Sequence, residues 1–403
     1  MIDTIPLFKV FMSEAASREV AEVLKSGYIG EGPIVKQYES QLINFLRLRS
    51  QSVITCNSAT SCEHLIYYLL KSDRQLTLKY DSAAALTSFK WKAADHKSEV
   101  ISTPLTCTAT NWPILHNGYK LVWADIDKET LNIDLDDVER KINENTRIVQ
   151  VVHWGGYPVD LNKLQRIITE KEQLYNTKIL IVEDCAHALG SYINGLHVGT
   201  DQYINSIATF STQAIKHLTT IDGGFLISKF EELTAAAKLV RWYGIDRDQP
   251  RADFRCELDI PEIGFKFHMN DVNAAVGLSN LRYVPYIIDV HKENANYYYN
   301  NLNEITGLTL LERKDNVDSS YWLFTMLVDD RKSFMKMMND KGITVSRVHE
   351  RNDKHSGLNK YNIQKTNLDN LDYVSDKMIC IPVGWWVTKE QRDYIVNSIK
   401  SGW

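Results

Sequence analysis

Two hydrophobic patterns alternate along most of the chain. Short runs of β-branched and apolar residues are followed by longer stretches in which apolar residues recur at helical spacing. Near-continuous apolar runs are typical of strands buried on both faces of a parallel sheet. The pattern predicts strands at 51–55, 99–102, 119–123, 146–152 and 178–182, and helices at 63–71, 134–142 and 162–175. Strands that alternate with helices in this way indicate an α/β domain with a doubly wound, mostly parallel sheet.

The pattern changes after about residue 277. The remaining sequence predicts helices at 290–302, 331–341 and 388–401, and a strand at 321–328. Because strand and helix no longer alternate regularly, we expect a smaller α+β domain here. The predicted division is a large domain of residues 1–280 and a small C-terminal domain of residues 281–403. Residues 73–98 are charged and rich in Ala and Ser where a short connection would suffice, so they are expected to form a surface insertion.

Composition and charge narrow the class of protein. The chain is 44% hydrophobic and 24% charged, as ordinary globular proteins are. Its 46 basic and 51 acidic residues give a net charge of −5, which argues against a nucleic-acid or membrane partner. No apolar run approaches the ~18 residues of a membrane span. Its six cysteines contain no CxxC pair, so we expect reduced thiols, a cytoplasmic protein and no metal site.

Parallel sheets bind ligands at the carboxyl ends of their strands, so candidate chemistry is sought there first. After the first predicted strand comes Thr55-Cys-Asn-Ser-Ala-Thr-Ser-Cys62, which is rich in small hydroxyl residues and leads directly into a helix. Such a turn offers backbone N–H groups and the positive end of a helix dipole to a phosphate. The alternative is simple helix capping by Ser58 or Thr60.

Two further segments carry groups suited to catalysis. Ile181-Val-Glu-Asp-Cys-Ala-His187 places carboxylates at the end of a buried strand, where a charge is unfavourable unless it meets a cation. Capping of a helix by Asp184 is the simpler interpretation. Lys216 then follows among apolar and hydroxyl residues, ahead of a Gly-Gly pair. A lysine in a partly apolar pocket can be a neutral nucleophile, although most single lysines are solvated.

Together, a phosphate turn, a buried acid and a lysine are what a pyridoxal 5′-phosphate (PLP) enzyme needs. With these motifs the chain resembles the DegT/StrS family of PLP-dependent nucleotide-sugar aminotransferases, which have fold type I. The resemblance runs from Ser26-Gly-Tyr-Ile-Gly-Glu-Gly-Pro33 to Ile381-Pro-Val383. It is strongest at Asn57-Ser-Ala-Thr-Ser61, at Glu183-Asp-Cys-Ala-His187 and from Phe210 to Gly224.

The resemblance implies roles for individual residues. Lys216 would bind the PLP aldehyde covalently, and Asp184 would hold the proton on the pyridine nitrogen. The other cofactor-binding residues that it implies are Thr60, Ser61 and Ser211 at the phosphate, His187 near the phenolic oxygen, and Cys107 or a neighbour over the ring face. The family also supplies an Asn from the partner subunit, and in Gly264-Phe-Lys-Phe-His-Met269 that position is Lys266. A homodimer with shared active sites is therefore expected.

The same resemblance implies the reaction. The amino group would come from glutamate, with pyridoxamine 5′-phosphate as the aminated form of the cofactor. It would pass to a keto group of a nucleotide-linked 6-deoxy-hexose, with C4 favoured over C3. Candidate substrate contacts are Arg247, Arg347, His349 and Arg351, although a solvated loop explains the last three equally well.

Other functions remain open on the sequence alone. A PLP-dependent sugar dehydratase of the same family carries His in place of the lysine, and Lys216 and His217 are adjacent here. Counting from Ser211 places Lys216 at the family's lysine position, which favours an aminotransferase. A catalytically silent regulator with the same fold would be expected to lack Lys216 or Asp184. A dinucleotide-binding protein is disfavoured because no GxGxxG follows the first strand.

Overall fold

The computed structural model of the protein describes residues 4–48, 53–71, 77–82, 85–91, 93–200, 206–249, 253, 259–260 and 262–403, with the backbone alone at 77–82 and 85–90. Its helices are α1 (Ala16–Ser26), α2 (Pro33–Leu46), α3 (Ala59–Lys71), α4 (Thr108–His116), α5 (Leu135–Lys141), α6 (Leu161–Tyr175), α7 (Glu231–Val240), α8 (Asp271–Leu281), α9 (Val284–Leu302), α10 (Arg331–Asp340), α11 (Asp369–Ser375) and α12 (Lys389–Lys400). Its strands are β1 (Val53–Cys56), β2 (Thr77–Ser82), β3 (Ala85–Lys90), β4 (Glu99–Ser102), β5 (Lys120–Trp123), β6 (Thr146–Val152), β7 (Leu180–Asp184), β8 (Tyr192–Ile193), β9 (Leu196–His197), β10 (Ser206–Ser211), β11 (Gly224–Ile227), β12 (Leu308–Leu310), β13 (Val317–Asp318), β14 (Phe324–Val328) and β15 (Met378–Ile381).

A seven-stranded sheet forms the centre of the large domain, in the order β1-β11-β10-β7-β6-β4-β5. Strands β10, β7, β6, β4 and β5 run parallel, and β11 is antiparallel to both of its neighbours. Cys56 at the end of β1 and Ser211 at the end of β10 both pair with Gly224. The prediction of an α/β domain with a mostly parallel sheet is confirmed, and the ends of β1, β7 and β10 meet at one edge.

Alternate side chains of the central strands enter two different cores, as the pleat of a strand requires. In β7, Val182 packs in the core that contains residues of α3, α4 and α7. Its neighbour Ile181 packs on the opposite face with residues of α5 and α6. The sheet is therefore covered by helices on both faces, which explains the near-continuous apolar runs in the sequence.

The small domain contains an antiparallel sheet in the order β12-β14-β15, with its own core. Ile5 from the N-terminal segment forms a bridge with Ile343 and belongs to this core. Helix α9 connects the two domains, because Ile288 packs with large-domain residues and Tyr298 packs in the small-domain core. The predicted boundary at residue 280 falls one residue before the end of α8, just ahead of this shared helix.

Two predicted bounds differ from the structure at places that matter for the site. Strand β7 continues two residues beyond the prediction because Asp184 still pairs with Val152 and Thr209 on its two neighbours. Strand β14 begins at Phe324, three residues later than predicted. Tyr321 has a φ of 48°, which is outside the range of a strand. The segment before β14 is thus turned toward the large domain.

The segment predicted as a surface insertion contains β2 and β3, which pair as an antiparallel hairpin. Residues 73–76, 83–84 and 92 of this segment lie outside the described residues. After the hairpin, Trp91 is buried and its indole N–H donates to the carbonyl of Leu70 at 2.8 Å, which ties the segment to the end of α3. None of the helices in the described residues is both long and apolar enough to cross a membrane.

Candidate active site

The turn after β1 is closed by its own hydroxyl groups. Ser58 caps α3, because its Oγ accepts the backbone N–H of Ser61 at 3.1 Å. The hydroxyl of Ser61 in turn donates to Asn57 Oδ1 at 2.6 Å. The first N–H groups of the helix, those of Ala59 and Thr60, have no acceptor within the helix. These N–H groups are available to an anion, and the phosphate contacts expected of Thr60 and Ser61 stay predictions.

The Gly-Gly pair explains how β11 can lie against this turn. A Cβ on Gly224 would lie 2.3 Å from the backbone nitrogen of Ala59. A Cβ on Gly223 would lie 2.2 Å from Thr220 Oγ1. Neither position has room for a side chain, so the pair permits the close approach of the lysine segment to the phosphate turn.

Asp184 lies at the edge of the sheet with both oxygens oriented. Its side chain is buried, and Oδ1 accepts the N–H of Ala186 at 2.9 Å. Oδ2 accepts the hydroxyl of Thr110 at 2.6 Å, and Thr110 is itself bonded to Thr106 at 2.7 Å. Among the described residues, no cationic side chain forms an ion pair with Asp184. A buried, fixed carboxylate without a cation is suited to receive a positively charged ligand group.

Lys216 faces the same space. The predicted lysine lies after β10, and its Nζ is 3.5 Å from the centroid of the Trp322 ring. Burial lowers the pKa of Lys216 to about 7, and the nearby Asp184 and Cys107 act in the opposite direction. An amine with this pKa is about half unprotonated at pH 7, and the unprotonated form is the one that a nucleophile or a base requires.

Trp322 was not found by the sequence analysis, although it forms one wall of the site. Its ring stacks on His187 with centroids 3.9 Å apart and planes 22° apart. Its indole N–H donates to the carbonyl of Ile215, next to Lys216, at 3.0 Å. Burial, followed by the charge of Lys216, lowers the pKa of His187 well below its usual value. The small domain therefore supplies an aromatic wall that keeps His187 neutral and Lys216 away from bulk water.

Glu63 is a second residue that the sequence did not signal. It lies one turn into α3, is 2% exposed, and its Oε2 has no hydrogen-bond partner among the described residues. Thr209 Oγ1 lies 3.3 Å from Glu63 Oε1 and 3.5 Å from the carbonyl of Glu183. The hydroxyl of Thr209 donates to Glu63 Oε1, a contact that favours the carboxylate and lowers its pKa. Burial is the larger influence and, with the charge of Asp184, it raises the pKa of Glu63 well above its usual value.

The remaining residues that were assigned to the cofactor lie at the margins of this space. Ser211 is half-buried at the end of β10, and its Oγ accepts the N–H of Gln213 at 3.3 Å. Cys107 immediately precedes α4, and it lies close enough to Lys216 to raise the pKa of that amine. Thr60 is half-buried at the start of α3. These residues stay predictions for the cofactor, since their positions allow contact but none is shown.

Lys266 and Arg247 both lie beside one tryptophan, Trp242. The backbone of the Lys266 segment borders the phosphate turn, because Phe267 O accepts the N–H of Asn57 at 2.7 Å. The exposed Lys266 ammonium lies 5.3 Å from the Trp242 ring centroid, and the Arg247 guanidinium lies 3.9 Å from it. Trp242 and Arg247 line an open groove of about 1580 Å³. The predicted cofactor role of Lys266 and substrate role of Arg247 stay predictions.

The loop proposed for the substrate divides into separate roles. Arg351 is buried and its guanidinium is paired with Asp353 and Asp372, so its predicted contact with the substrate stays a prediction that the structure does not favour. Arg347 is half-buried and pairs with Glu350. His349 lies parallel to His187, with ring centroids 5.8 Å apart and planes 4° apart. Of the three predicted contacts in this loop, only His349 joins the groups around Lys216.

Taken together, these groups fit PLP. The amine of Lys216 suits its aldehyde, the carboxylate of Asp184 suits its pyridinium, and the free N–H groups at the start of α3 suit its phosphate. His187 and Cys107 border the space between them. Lys216, Asp184 and the start of α3 could be predicted because each follows a strand, whereas Trp322 and Glu63 reach the site through packing.

Comparisons with known proteins point in the same direction. A model of the DegT/DnrJ/EryC1/StrS aminotransferase family matches residues 11–400. The sugar aminotransferase CalS13 from Micromonospora echinospora has a similar structure, with a TM-score of 0.88 and 39% identity over 99% of this chain and 100% of that one. The structure of AtS13 from Actinomadura melliaura is also similar, with a TM-score of 0.88 and 42% identity over 100% of this chain and 99% of that one. A dTDP-4-dehydro-2,3,6-trideoxy-D-glucose 4-aminotransferase of Saccharopolyspora spinosa is 28% identical over 335 residues, 81% of this chain and 79% of that one.

Proposed function

The chain belongs to the DegT/DnrJ/EryC1/StrS aminotransferase family, and from this premise we propose that it transfers an amino group from glutamate to the C4 keto group of a nucleotide-linked 6-deoxy-hexose. The observation that carries the proposal is Lys216, an amine with a pKa of about 7 that faces the buried Asp184 at the carboxyl edge of the sheet. The similarity to the 4-aminotransferase of Saccharopolyspora spinosa supports the C4 position and a nucleotide-linked sugar that is deoxygenated at C6.

Each residue of the site has a defined task in this reaction. PLP, when bound, supplies an electron sink for the carbanion that forms as the amino donor loses its α-proton. Lys216 would take that proton from the donor Cα and deliver it to the cofactor carbon that receives the amino group, since its low pKa allows the amine to accept and release a proton. Asp184 would hold the proton on the ring nitrogen, and the N–H groups of Ala59 and Thr60 would bind the phosphate. Trp322 excludes water from the face of Lys216.

The alternative of a sugar dehydratase is disfavoured by the surroundings of His217. Lys216, and not His217, faces Asp184 and Trp322. His217 is buried on the other side, with its Nε2 3.4 Å from His291 Nδ1. Burial lowers the pKa of His217 well below its usual value. A histidine held in this way cannot act in place of the lysine. A catalytically silent regulator is the remaining alternative, and binding of PLP without turnover would be its signature.

We also infer that the active enzyme is a homodimer. The groove beside Trp242 is lined by apolar residues that include Tyr28 and Ile29, and these are 82% and 50% exposed. Exposed apolar surface of this extent is typical of a subunit interface. A second copy seated there would bring its Lys266 toward the phosphate turn of the first, where an ammonium stabilises a phosphate dianion.

The reaction is tested by incubating the purified protein with PLP, glutamate and a thymidine diphosphate-linked 4-keto-6-deoxy-hexose. We expect mass spectrometry to detect the amino sugar nucleotide and 2-oxoglutarate in equal amounts. A deoxygenated keto sugar without nitrogen would identify a dehydratase instead. No product, with PLP bound, would identify the regulator.

Shared sites are tested by mixing subunits that carry Lys216→Ala with subunits that carry Lys266→Ala. Each variant alone lacks one group in every site, whereas a hybrid dimer has one intact site if Lys266 acts across the interface. Random pairing then restores about a quarter of the wild-type activity. Activity that stays at the level of the separate variants would contradict a role for Lys266 in the partner's site.

A further inference from the structure

The loop from Ser346 to Asn352 carries small-domain residues into the active site. Its first end is fixed to β15, because Ser346 and Cys380 exchange backbone hydrogen bonds of 3.3 and 2.8 Å. Its other end is fixed to the large domain by the fully buried Asn352. Asn352 donates to the carbonyl of Thr106 at 2.8 Å and accepts from Asn111 at 2.9 Å. The loop is therefore held rigidly across both domains.

Between these anchors the backbone is strained. Val348 has a φ of 67°, a left-handed conformation that a β-branched residue rarely adopts. The N–H of His349 donates to the carbonyl of Arg347 at 2.8 Å, which closes a three-residue turn around Val348. Strain of this kind persists only where the surrounding structure enforces it, and it is concentrated at functional sites. Its effect here is to direct the next side chain, His349, toward Lys216.

The imidazole of His349 is enclosed but incompletely bonded. It lies parallel to His187 and edge-on to Trp154, with ring centroids 5.8 and 6.0 Å away. Within the part of the chain that the structure describes, its buried Nε2 has no hydrogen-bond partner. Burial, and next the charge of Lys216, lowers the pKa of His349 to about 4. His349 is thus a neutral imidazole, next to the reacting amine, with one nitrogen reserved for a ligand.

We propose that His349 Nε2 hydrogen-bonds a hydroxyl group of the sugar beside the carbon that receives the amino group. This rests on the proposed function and names the residue that distinguishes the sugar from the amino donor. A hydroxyl both donates and accepts, so it satisfies Nε2 in either tautomer of a neutral imidazole. A donor carboxylate only accepts, and it would be drawn to a cation instead.

The two half-reactions separate these ligands. The PLP form of the enzyme is mixed with glutamate alone, and the pyridoxamine form with thymidine diphosphate-linked 4-keto-6-deoxy-hexose alone, while the cofactor spectrum is followed. In His349→Phe, kcat/KM of the sugar half-reaction should fall about 30-fold, the loss of one hydrogen bond at a desolvated site. The glutamate half-reaction and the Kd for PLP should change less than about 3-fold. His349→Gln, which keeps a hydrogen-bonding amide, should recover most of the loss.

A matched control is His96→Phe, since His96 lies in an exposed turn of the insertion. It should leave both half-reactions unchanged. Equal losses in both half-reactions of His349→Phe would show a structural role and overturn the proposal, as would a loss confined to the glutamate half-reaction. Calorimetry with the same nucleotide sugar and the wild-type pyridoxamine form is done first. Failure of the wild-type enzyme to bind or convert that sugar would contradict the proposed function itself, before any variant is compared.

Discussion

Glu183 and Asp184 are neighbouring carboxylates at the end of one strand, and their surroundings differ sharply. Glu183, on one face of the sheet, accepts hydrogen bonds from Gly199 N–H at 3.0 Å, from His153 Nε2 at 3.2 Å and from Ser206. The tautomer of His153 is set by Val159 N–H, which donates to Nδ1 at 3.0 Å. Both oxygens of Glu183 are thus bonded to groups of the fold.

Asp184, on the opposite face, receives two hydrogen bonds and faces Lys216. The difference shows how a structural and a functional carboxylate are told apart. Both are buried at the same strand end, but Glu183 receives three hydrogen bonds from the fold, whereas Asp184 receives two and faces the space beside Lys216, where a ligand cation can meet it. His153 and Cys185 approach Glu183 within 4.8 Å and resemble a metal site, yet the same hydrogen bonds already occupy the carboxylate.

The largest expected effect is the loss of stability when Glu183, the structural carboxylate, is replaced. In Glu183→Gln, one carboxylate oxygen becomes an NH₂ group. That NH₂ group would then point at groups that themselves donate hydrogen bonds to Glu183. We expect the free energy of unfolding, measured with urea, to fall by about 3 kcal/mol. Glu170→Gln, an exposed position on α6, is the matched control and should change by less than about 0.5 kcal/mol. A Glu183→Gln protein of wild-type stability that loses turnover would reverse the assignment of the two carboxylates.

The next largest effect is expected for Asp184→Asn, which tests the role of this carboxylate in the reaction. The variant should fold and bind PLP, but its glutamate half-reaction should be at least ~100-fold slower, equivalent to about 2.7 kcal/mol. The reason is that a neutral amide cannot hold the proton on the ring nitrogen. Asp184→Glu should be intermediate because the longer side chain displaces the carboxylate. Conversion of the Asn variant at the wild-type rate would mean that Asp184 only caps the turn through Ala186.

The pH dependence of PLP capture tests the low pKa of Lys216. Only the neutral amine attacks an aldehyde, and its fraction rises with pH up to the pKa of about 7. In stopped-flow mixing of the cofactor-free protein with PLP, the second-order rate should rise about tenfold per pH unit below that value and level off above it. A rate that still rises through pH 9 would show an ordinary, solvated lysine.

The smallest expected effect is that of Glu63→Gln, and it is an increase in the free energy of unfolding. The folded-state pKa of Glu63 is raised, so the contribution that Glu63 makes to stability is present below pH 4.5 and is lost as pH rises toward the folded-state pKa. Glu63→Gln keeps the shape without a titrating proton. It should match the wild type at pH 4.5 and be more stable at pH 7 by about 1 kcal/mol or more. A variant that is less stable at pH 7 would show that Glu63 is ionised.

The comparison also marks what sequence reasoning can reach. The apolar runs of the strands are strong signals, and residues that follow them, such as Asp184 and Lys216, are found because strand ends meet at one edge. The assignment of opposite roles to Glu183 and Asp184 is harder, because the donors to Glu183 come from His153, Gly199 and Ser206, which carry no local signal. These donors lie up to 30 positions from Glu183 in the sequence.

The residues that the small domain contributes to the site were harder still to predict from the sequence. Trp322 and His349 reach Lys216 only because Tyr321 and Val348 adopt left-handed backbone conformations, which β-branched or aromatic residues give no reason to expect. Arg351 was assigned to the substrate from its charge, but its guanidinium pairs with Asp353 in the same loop and with Asp372 on α11, a partner that the sequence does not indicate. Charge patterns indicate which residues can bind a ligand. The hydrogen-bond inventory of the folded chain decides which of them are free to do so.

The central claim, that Lys216 is the amine that binds the cofactor, has one direct test. The purified protein is loaded with PLP, treated with borohydride to fix the cofactor on its lysine, digested and examined by peptide mass spectrometry. We predict that the reduced cofactor is attached to Lys216 in the wild type, and that Asp184→Asn carries it at the same position. Attachment to Lys266 or another lysine, or no attachment under conditions in which PLP binds, would contradict the account.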